Sequence, residues 1–411
     1  MSLISLGYDE SGMSQEPSTD RSVRRRLLLL ALGLAIFSVW LITVTFQLLL
    51  IDIAHTFHVQ VGTASMVAAV GSISGVVAGL FMAVLSVRFN HKIFLLIGLL
   101  CTSLSALGFF FAPNFNFVLL LNVGVGPGIA LATSIVYSLI GDFYSLEKRG
   151  KAIGWMVAST TLAYVVGAPV IGILASLGGW RSVMILFSLP IALASLTLVF
   201  FVIPKKSKQN IQSQREPFFA GCKNAFSNRS ATAILLVTMF SMAEGSIGFY
   251  AISFFRSHFA ISISFGALII VAGNILAVAG GIVGGLLINR VGRKPLGMVA
   301  GLAAALLTLS FTFTPIFPIS MGLGVLRFLF SAMAFTAGGA LVMEQLPKFR
   351  STMMSLNTTF MNLGMLMASL TGGIALNLYN YQTLALLLGG FGVTGTILWV
   401  TLVKDPCKTQ K

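Results

Sequence analysis

GLLINRVGRKPLG, Gly285–Gly297, closes one long apolar run and, after a short basic turn, opens the next. The first half of the chain carries its echo, AVLSVRFNHKIFL, Ala83–Leu95. Both place apolar residues, then an arginine, a turn residue and a lysine at matching spacing. A second pair repeats the relation further on. GDFYSLEKRGKAIGW (Gly141–Trp155) follows the fourth apolar run, and MEQLPKFRSTMMSLN (Met343–Asn357) follows the tenth. Two halves of six runs each are the sequence signature of an internally repeated membrane protein.

Composition requires the same class. Charged residues are 9% of the 411 and hydrophobic residues 56%, against about 25% charged in soluble domains. Surface area falls too slowly with size for a soluble fold to hide so much apolar surface. Lipid is therefore the expected solvent. Apolar runs of bilayer length lie at 27–51, 61–85, 93–112, 117–141, 152–177, 182–203, 231–255, 265–288, 296–315, 319–343, 351–376 and 383–403. They are called spans 1 to 12 below. Span 1 is too long for a signal-peptide core and lacks a small-residue cleavage site. Residues 1–26 read as a disordered polar tail, 27–204 as one six-helix half, and 205–230 as a polar linker holding a short interfacial helix near Phe218–Phe226. Residues 231–403 read as the second half and 404–411 as a tail.

The net charge of +15 would suit nucleic acid, but its distribution explains it otherwise. Apart from Arg181, Arg256 and Arg327, all of the 26 Lys and Arg residues fall at one side of the spans. That bias is the positive-inside pattern and places both termini in the cytoplasm. No nucleic-acid partner is expected. Cys101, Cys222 and Cys407 are scattered, so neither a disulfide framework nor a metal site is indicated. There is no H-E-x-x-H helix, nucleophile constellation or P-loop, so an enzyme or direct ATP drive is not expected, and no cofactor is implied.

GLLINRVGRKP resembles the major facilitator loop motif G-x-L-x-D-R-x-G-R-K. Gly285, Leu287, Arg290, Gly292, Arg293 and Lys294 match, and Asn289 replaces the aspartate. The first-half copy keeps Arg88 and Lys92 but has Val87, Asn90 and His91 at the other positions. In that family the carboxylate and arginines latch the cytoplasmic helix ends. With both aspartates absent, the usual charged latch is not expected, and Arg88 and Lys92 serve equally as plain cytoplasmic anchors. RGKAIG (Arg149–Gly154) resembles the family's loop between spans 4 and 5, and GGWR (Gly178–Arg181) the turn opening span 6. In span 5, Gly167, Pro169 and Gly172 resemble the glycine-proline motif associated with antiporters, although Tyr164 and Ala168 stand where it has glycine. The alternative for these residues is plain helix packing. MSLNTTFMNLG followed by TGG (Met354–Gly373) is similar to span 11 of the drug:proton antiporter branch, including sugar- and nucleoside-efflux permeases. The resemblance covers residues 27–403. It implies an all-α membrane protein of twelve transmembrane helices in two six-helix bundles, with spans 1, 4, 7 and 10 lining a central cavity.

Ionisable residues inside a span are costly and are functional candidates. Glu244 is the one acidic residue near the middle of a span, and Arg327 the clearest intramembrane cation. At about 1.5 Å per residue, Glu244 lies roughly 20 Å from the inner edge and Arg327 roughly 12 Å from the outer edge. In a core about 30 Å thick their depths nearly coincide. They are expected to face one cavity and to interact. Burial favours a neutral acid and a neighbouring guanidinium favours the carboxylate, so Glu244 would alternate between the two and couple protons to solute. Arg327 would alternatively bind an anionic substrate. The structural alternatives are a neutral Glu244 hydrogen-bonded within its bundle and an Arg327 that snorkels outward.

Asn122 stands in NVGVGPGIA of span 4 where many proton-coupled relatives have arginine. It either bonds substrate or ties helices, and the glycines after it permit close packing. Asn274, Asn357 and Asn362 pose the same choice in spans 8 and 11. Asp52 and His55 share a face at the end of span 1, as an external pH sensor or as solvated end groups. Together these features suggest a secondary transporter in a prokaryotic plasma membrane, working as a monomer and moving a small organic solute outward with protons. A metabolite or organic-anion facilitator or importer is the alternative, and a non-transporting sensor a more distant one.

Overall fold

The computed structural model describes residues 18–85, 90–144, 146–203 and 218–405, and among these it is helical throughout, without strands. Span 1 is Ser18–Thr56, and so begins ahead of the apolar run at Leu27. Span 2 is Val61–Ala64 and Met66–Leu85, span 3 His91–Phe111 and span 4 Phe115–Phe143. Span 5 is Leu146–Val165 with the start of Gly167–Val183; span 6 follows through Leu189–Val202. Phe218–Ser227 is the short linker helix. Span 7 is Arg229–Gly245 and Ile247–Phe259, span 8 Ile263–Val291, span 9 Arg293–Phe311, span 10 Phe317–Gln345, span 11 Arg350–Leu378 and span 12 Tyr381–Leu402.

Among the described residues there are 11 runs long and apolar enough to cross a membrane, because Lys151–Val202 forms one run of 52 residues. At about 1.5 Å per residue that run is about 78 Å long, more than twice a bilayer core of about 30 Å. It divides at Gly179, where φ 77° and ψ 177° leave the helical region. Only glycine takes that backbone without a Cβ clash. The result is twelve spans, with the turn where GGWR falls.

Local chemistry sets where the helices begin. The side chains of Asn90, Asn114, Asn228, Ser262 and Asn380 each accept a bond from a first-turn backbone N–H, opening spans 3, 4, 7, 8 and 12. Such caps satisfy donors that the helix itself leaves free. Pro169 explains the break at Val166. It has no N–H to bond the carbonyl of Val165, so the helix interrupts there. Large apolar side chains such as Leu177, Phe201, Leu286 and Val299 cover the perimeter. In water that surface would aggregate; in lipid it is the normal exterior.

Spans 1–6 pack among themselves, as do spans 7–12, and the halves meet through spans 2 and 11, 5 and 8, and 1 and 7. Small residues let backbones touch. A Cβ on Gly126 of span 4 would lie 2.1 Å from Gly71 O of span 2, and one on Gly280 of span 8 would lie 2.2 Å from Leu329 O of span 10. The linker helix lies against span 11, with Gly221 at Thr352 and Phe226 at Phe360.

Hydrogen bonds join the halves at the end opposite the basic loops. Gln47 Nε2 donates to Gly248 O at 2.8 Å, Tyr250 Oη to Ser65 Oγ at 3.3 Å, and Asn377 Nδ2 to Thr63 Oγ1 at 3.0 Å. Arg256 grips Asp52 with both terminal nitrogens, Nη2 to Oδ1 at 3.0 Å, and adds a bond to Leu48 O at 3.3 Å. Gly62 and Gly373 also meet there, as do Gly172 and Ala267. The same end holds the helix interruptions at Leu49, Ser65 and Ser246.

Candidate functional site: a buried ion pair and a closed end

Glu244 and Arg327 do meet. Arg327 Nη1 lies 3.4 Å from Glu244 Oε1, and the same oxygen accepts a bond from Thr308 Oγ1 at 2.5 Å. Their direction differs from expectation. Glu244 is 4% exposed and Arg327 3%. Glu244 shares a helix face with Phe240, and that face packs on span 12. A Cβ on Gly392 would sit 2.7 Å from Glu244 Cγ, and Phe240 lies against Gly395 and Phe391. Spans 9 and 12 contact other helices of their own half. The pair therefore points into the second bundle, not into the space between the bundles. A charge that deep needs a partner and hydrogen bonds, and this packing supplies both.

Arg327 does not snorkel. Its guanidinium is 4.6 Å over the Phe328 ring, and Nη2 would be 3.1 Å from a Cβ on Gly248. Gly248 is the residue whose carbonyl takes the bond from Gln47 of the first half. The pair thus abuts the segment of span 7 through which the bundles close. The helix interruption at Ser246 lies between them.

The asparagines serve their own bundles. Asn122 is buried and bonds Val118 O one turn back at 3.3 Å, its Oδ1 facing Gly71 of span 2. Asn274 bonds Ile270 O at 2.9 Å, and Asn362 bonds Thr358 O at 3.1 Å. Asn357 accepts from Thr238 Oγ1 at 2.9 Å, tying span 11 to span 7. At the end of span 1, Asp52 pairs with Arg256, while His55 is exposed.

The loop motif takes a form that the sequence pattern only half shows. Arg88 lies outside the described residues. Lys92 Nζ donates to Phe200 O at 2.6 Å and to Ile203 O, the last carbonyls of span 6. Lys294 Nζ donates to Val400 O at 2.9 Å and Val403 O at 2.7 Å, the last carbonyls of span 12. The repeated lysine thus caps the same helix end in both halves, where a cation also suits the helix dipole. Gly292 has φ 91° and ψ 157°, which fixes glycine at the motif's turn. Arg293 forms an ion pair with Glu344 of span 10. A charged contact therefore exists without the motif's aspartate, its carboxylate drawn from another helix. Gly285 has open space around it, and Asn289 and Arg290 are exposed. In span 5, Gly167 packs on Leu41 of span 1 and Gly172 on Ala267 of span 8, so the glycine-proline segment lies between the bundles.

This architecture has known counterparts. A family model described as the Major Facilitator Superfamily matches residues 28–326 and 234–411. The chain belongs to the Major Facilitator Superfamily. It is a multi-pass membrane transporter by family, not an enzyme. Solved structures share the fold at low identity. A bacterial homolog of the human lysosomal transporter Spinster, inward-facing and unoccupied, matches with TM-score 0.71 and 17% identity over 92% of this chain and 95% of that one. The nucleoside transporter NupG gives 0.75 and 15% over 92% and 100%. A D-xylose-proton symporter gives 0.75 and 16% over 94% and 99%.

Within this superfamily member, sequence reading missed Thr308, Gln47 and Arg256 as parts of the site. Gln47 carried a signal, being a polar side chain inside an apolar span. Arg256 was visible only as an isolated cation at the sparsely charged end, because its partner lies 204 residues away.

Proposed function

We propose that this protein exports a small organic solute across the plasma membrane by alternating access, with proton coupling through Glu244. The basic loops lie on the cytoplasmic side by the positive-inside rule, so the closed end faces outward. The observation that carries the reading is the contact chain Glu244–Arg327–Gly248–Gln47. It links one titratable group to the junction that must open. A single 3.4 Å contact to Arg327 is looser than the two-pronged grip on Asp52, so the carboxylate can give up that contact. Protonation of Glu244 frees Arg327, which alters its packing on Gly248 and loosens the closed end. Coupling requires a second, open arrangement of this junction, which the change of charge would favour. Span 5 and span 11 resemble antiporter segments, which favours outward movement. The anion-carrier alternative needs Arg327 to be open to solute, and its pairing and burial count against that.

The test is reconstitution into proteoliposomes containing a trapped pH dye, challenged with amino acids, sugars, nucleosides, organic acids and cationic drugs. Solute movement should carry protons the other way in the wild type. Glu244→Gln should keep solute exchange and lose accumulation driven by a pH gradient. Solute flux indifferent to the gradient in the wild type would refute coupling and favour a facilitator.

A further inference from the structure

The mid-membrane charges are used up inside the second bundle, which raises the question of what remains for a solute to touch. Span 1 supplies a surface. Gln47 marks the face that meets the other half, through Gly248. Seven residues is close to two helical turns, so Trp40 lies on that same face about 10 Å deeper. Trp40 is partly exposed, with Phe37 and Thr43 beside it, whereas Val39, Leu41, Ile42 and Val44 are fully buried. Spans 4 and 6 also pack on span 1, and span 5 borders this strip, with Trp155 and Ser159 beside Gly33, seven residues before Trp40. The partly exposed strip thus lies below the junction of Gln47 with Gly248, with span 5 along its edge.

Tyr164 of span 5 joins it. Its ring centroid is 6.2 Å from that of Trp40, with the planes tilted by 46°, and it too is partly exposed. Each sits roughly 20 Å from the inner edge, counting about 1.5 Å per residue. Neither Trp40 Nε1 nor Tyr164 Oη makes a hydrogen bond to any described residue. Aromatic rings with a polar tip ordinarily find a partner away from water. On span 7, Met239 and Met242 are partly exposed and lie beside Gly364 of span 11, and methionine adapts to irregular apolar shapes.

We propose that Trp40 and Tyr164 form the recognition surface for the transported solute. The solute is an uncharged molecule with an aromatic or similarly flat ring and a hydrogen-bond acceptor at its edge. The rings supply stacking, the two donors supply orientation, and the paired Glu244 and Arg327 leave no net charge to select an ion. This rests on the transporter reading above and adds its substrate class.

Three probes with one ring and different charge separate the possibilities: tryptophol (uncharged), indole-3-acetate (anionic) and tryptamine (cationic). Each is titrated against the melting midpoint of the purified protein, since a ligand of the native state raises it by mass action. Tryptophol should bind most tightly of the three. Trp40→Leu should weaken it about tenfold and Tyr164→Phe about fivefold, the sizes expected for one stacking ring and one hydrogen bond. Trp40→Phe, which keeps a ring, should lose less and guards against a folding defect. No shift with tryptophol, an equal shift in Trp40→Leu, or tighter binding of either ion would overturn the proposal. Labelled tryptophol in proteoliposomes keeps the two readings apart. Movement unaffected by Trp40→Leu overturns the surface and spares the transporter. Trp40-dependent binding without movement supports the surface and counts against transport.

Discussion

Glu244→Gln removes a charge and leaves Arg327 buried, 3% exposed, with no counter-ion. At the 3.4 Å separation of the pair, Coulomb's law gives about 5 kcal/mol with an effective dielectric of about 20. Breaking one partner of a buried pair costs about 3–5 kcal/mol by experience with such pairs, so the two estimates agree. Arg327→Met should cost a similar amount, because it strands the carboxylate with Thr308 alone. The double variant buries no unpaired charge and should be more stable than the two losses together imply, by about 2–4 kcal/mol. Reversible unfolding in mixed detergent and SDS micelles, with all four proteins compared, measures this coupling. Losses that add within about 0.5 kcal/mol would refute the pair as an energetic unit. Glu244 would then not be the group felt at Gly248.

The lysine caps make a symmetric prediction. Lys92→Met and Lys294→Met each remove the donor from the last carbonyls of an outer helix, and each should cost about 1–2 kcal/mol, read as matching falls in melting midpoint. Gly292→Ala puts a Cβ at φ 91° and should cost about 1–3 kcal/mol, whereas Gly285→Ala, with open space around the Cβ, should be close to neutral by the same melting assay.

Much of the architecture could be read from the chain, because lipid imposes length and composition on each span separately. The repeat around Ala83–Leu95 and Gly285–Gly297 placed the two halves, and Gly179 fell where the turn between spans 5 and 6 was expected. The nearness of Glu244 and Arg327 followed from their matching depths together with the family resemblance, which implies that spans 7 and 10 line one cavity. Their direction did not, since it depends on where around the helix axis each residue faces. Gly392 and Thr308 decide that, from helices that hold no charge in the spans. The Asp52–Arg256 bridge was out of reach for a different reason. His55 is the neighbour that helical spacing provides, but the kink at Leu49 and the approach of span 7 bring Arg256 instead. The loop motif showed the same limit. Loss of its aspartate was legible, but the compensating Glu344 sits on another helix.

Alternating access requires that the two ends open and close in opposition, and Asp52–Arg256 is the contact to disturb. Asp52 is 28% and Arg256 13% exposed as side chains, so the bridge is between surface and buried in character and is worth about 1–2 kcal/mol. Removing it shifts the balance between closed and open outer ends by roughly five- to thirtyfold. With Cys101, Cys222 and Cys407 replaced by serine, one spin-label pair spans the inner end (Lys151→Cys and Lys348→Cys). Another spans the outer end (Asn116→Cys and Tyr379→Cys). The decisive measurement is the pair of distance distributions, by pulsed electron resonance in nanodiscs, with and without Asp52→Asn. Reciprocal change is expected, a longer outer distance gaining population as a shorter inner one does. An outer distance that lengthens while the inner one stays fixed would contradict two bundles rocking about a shared site.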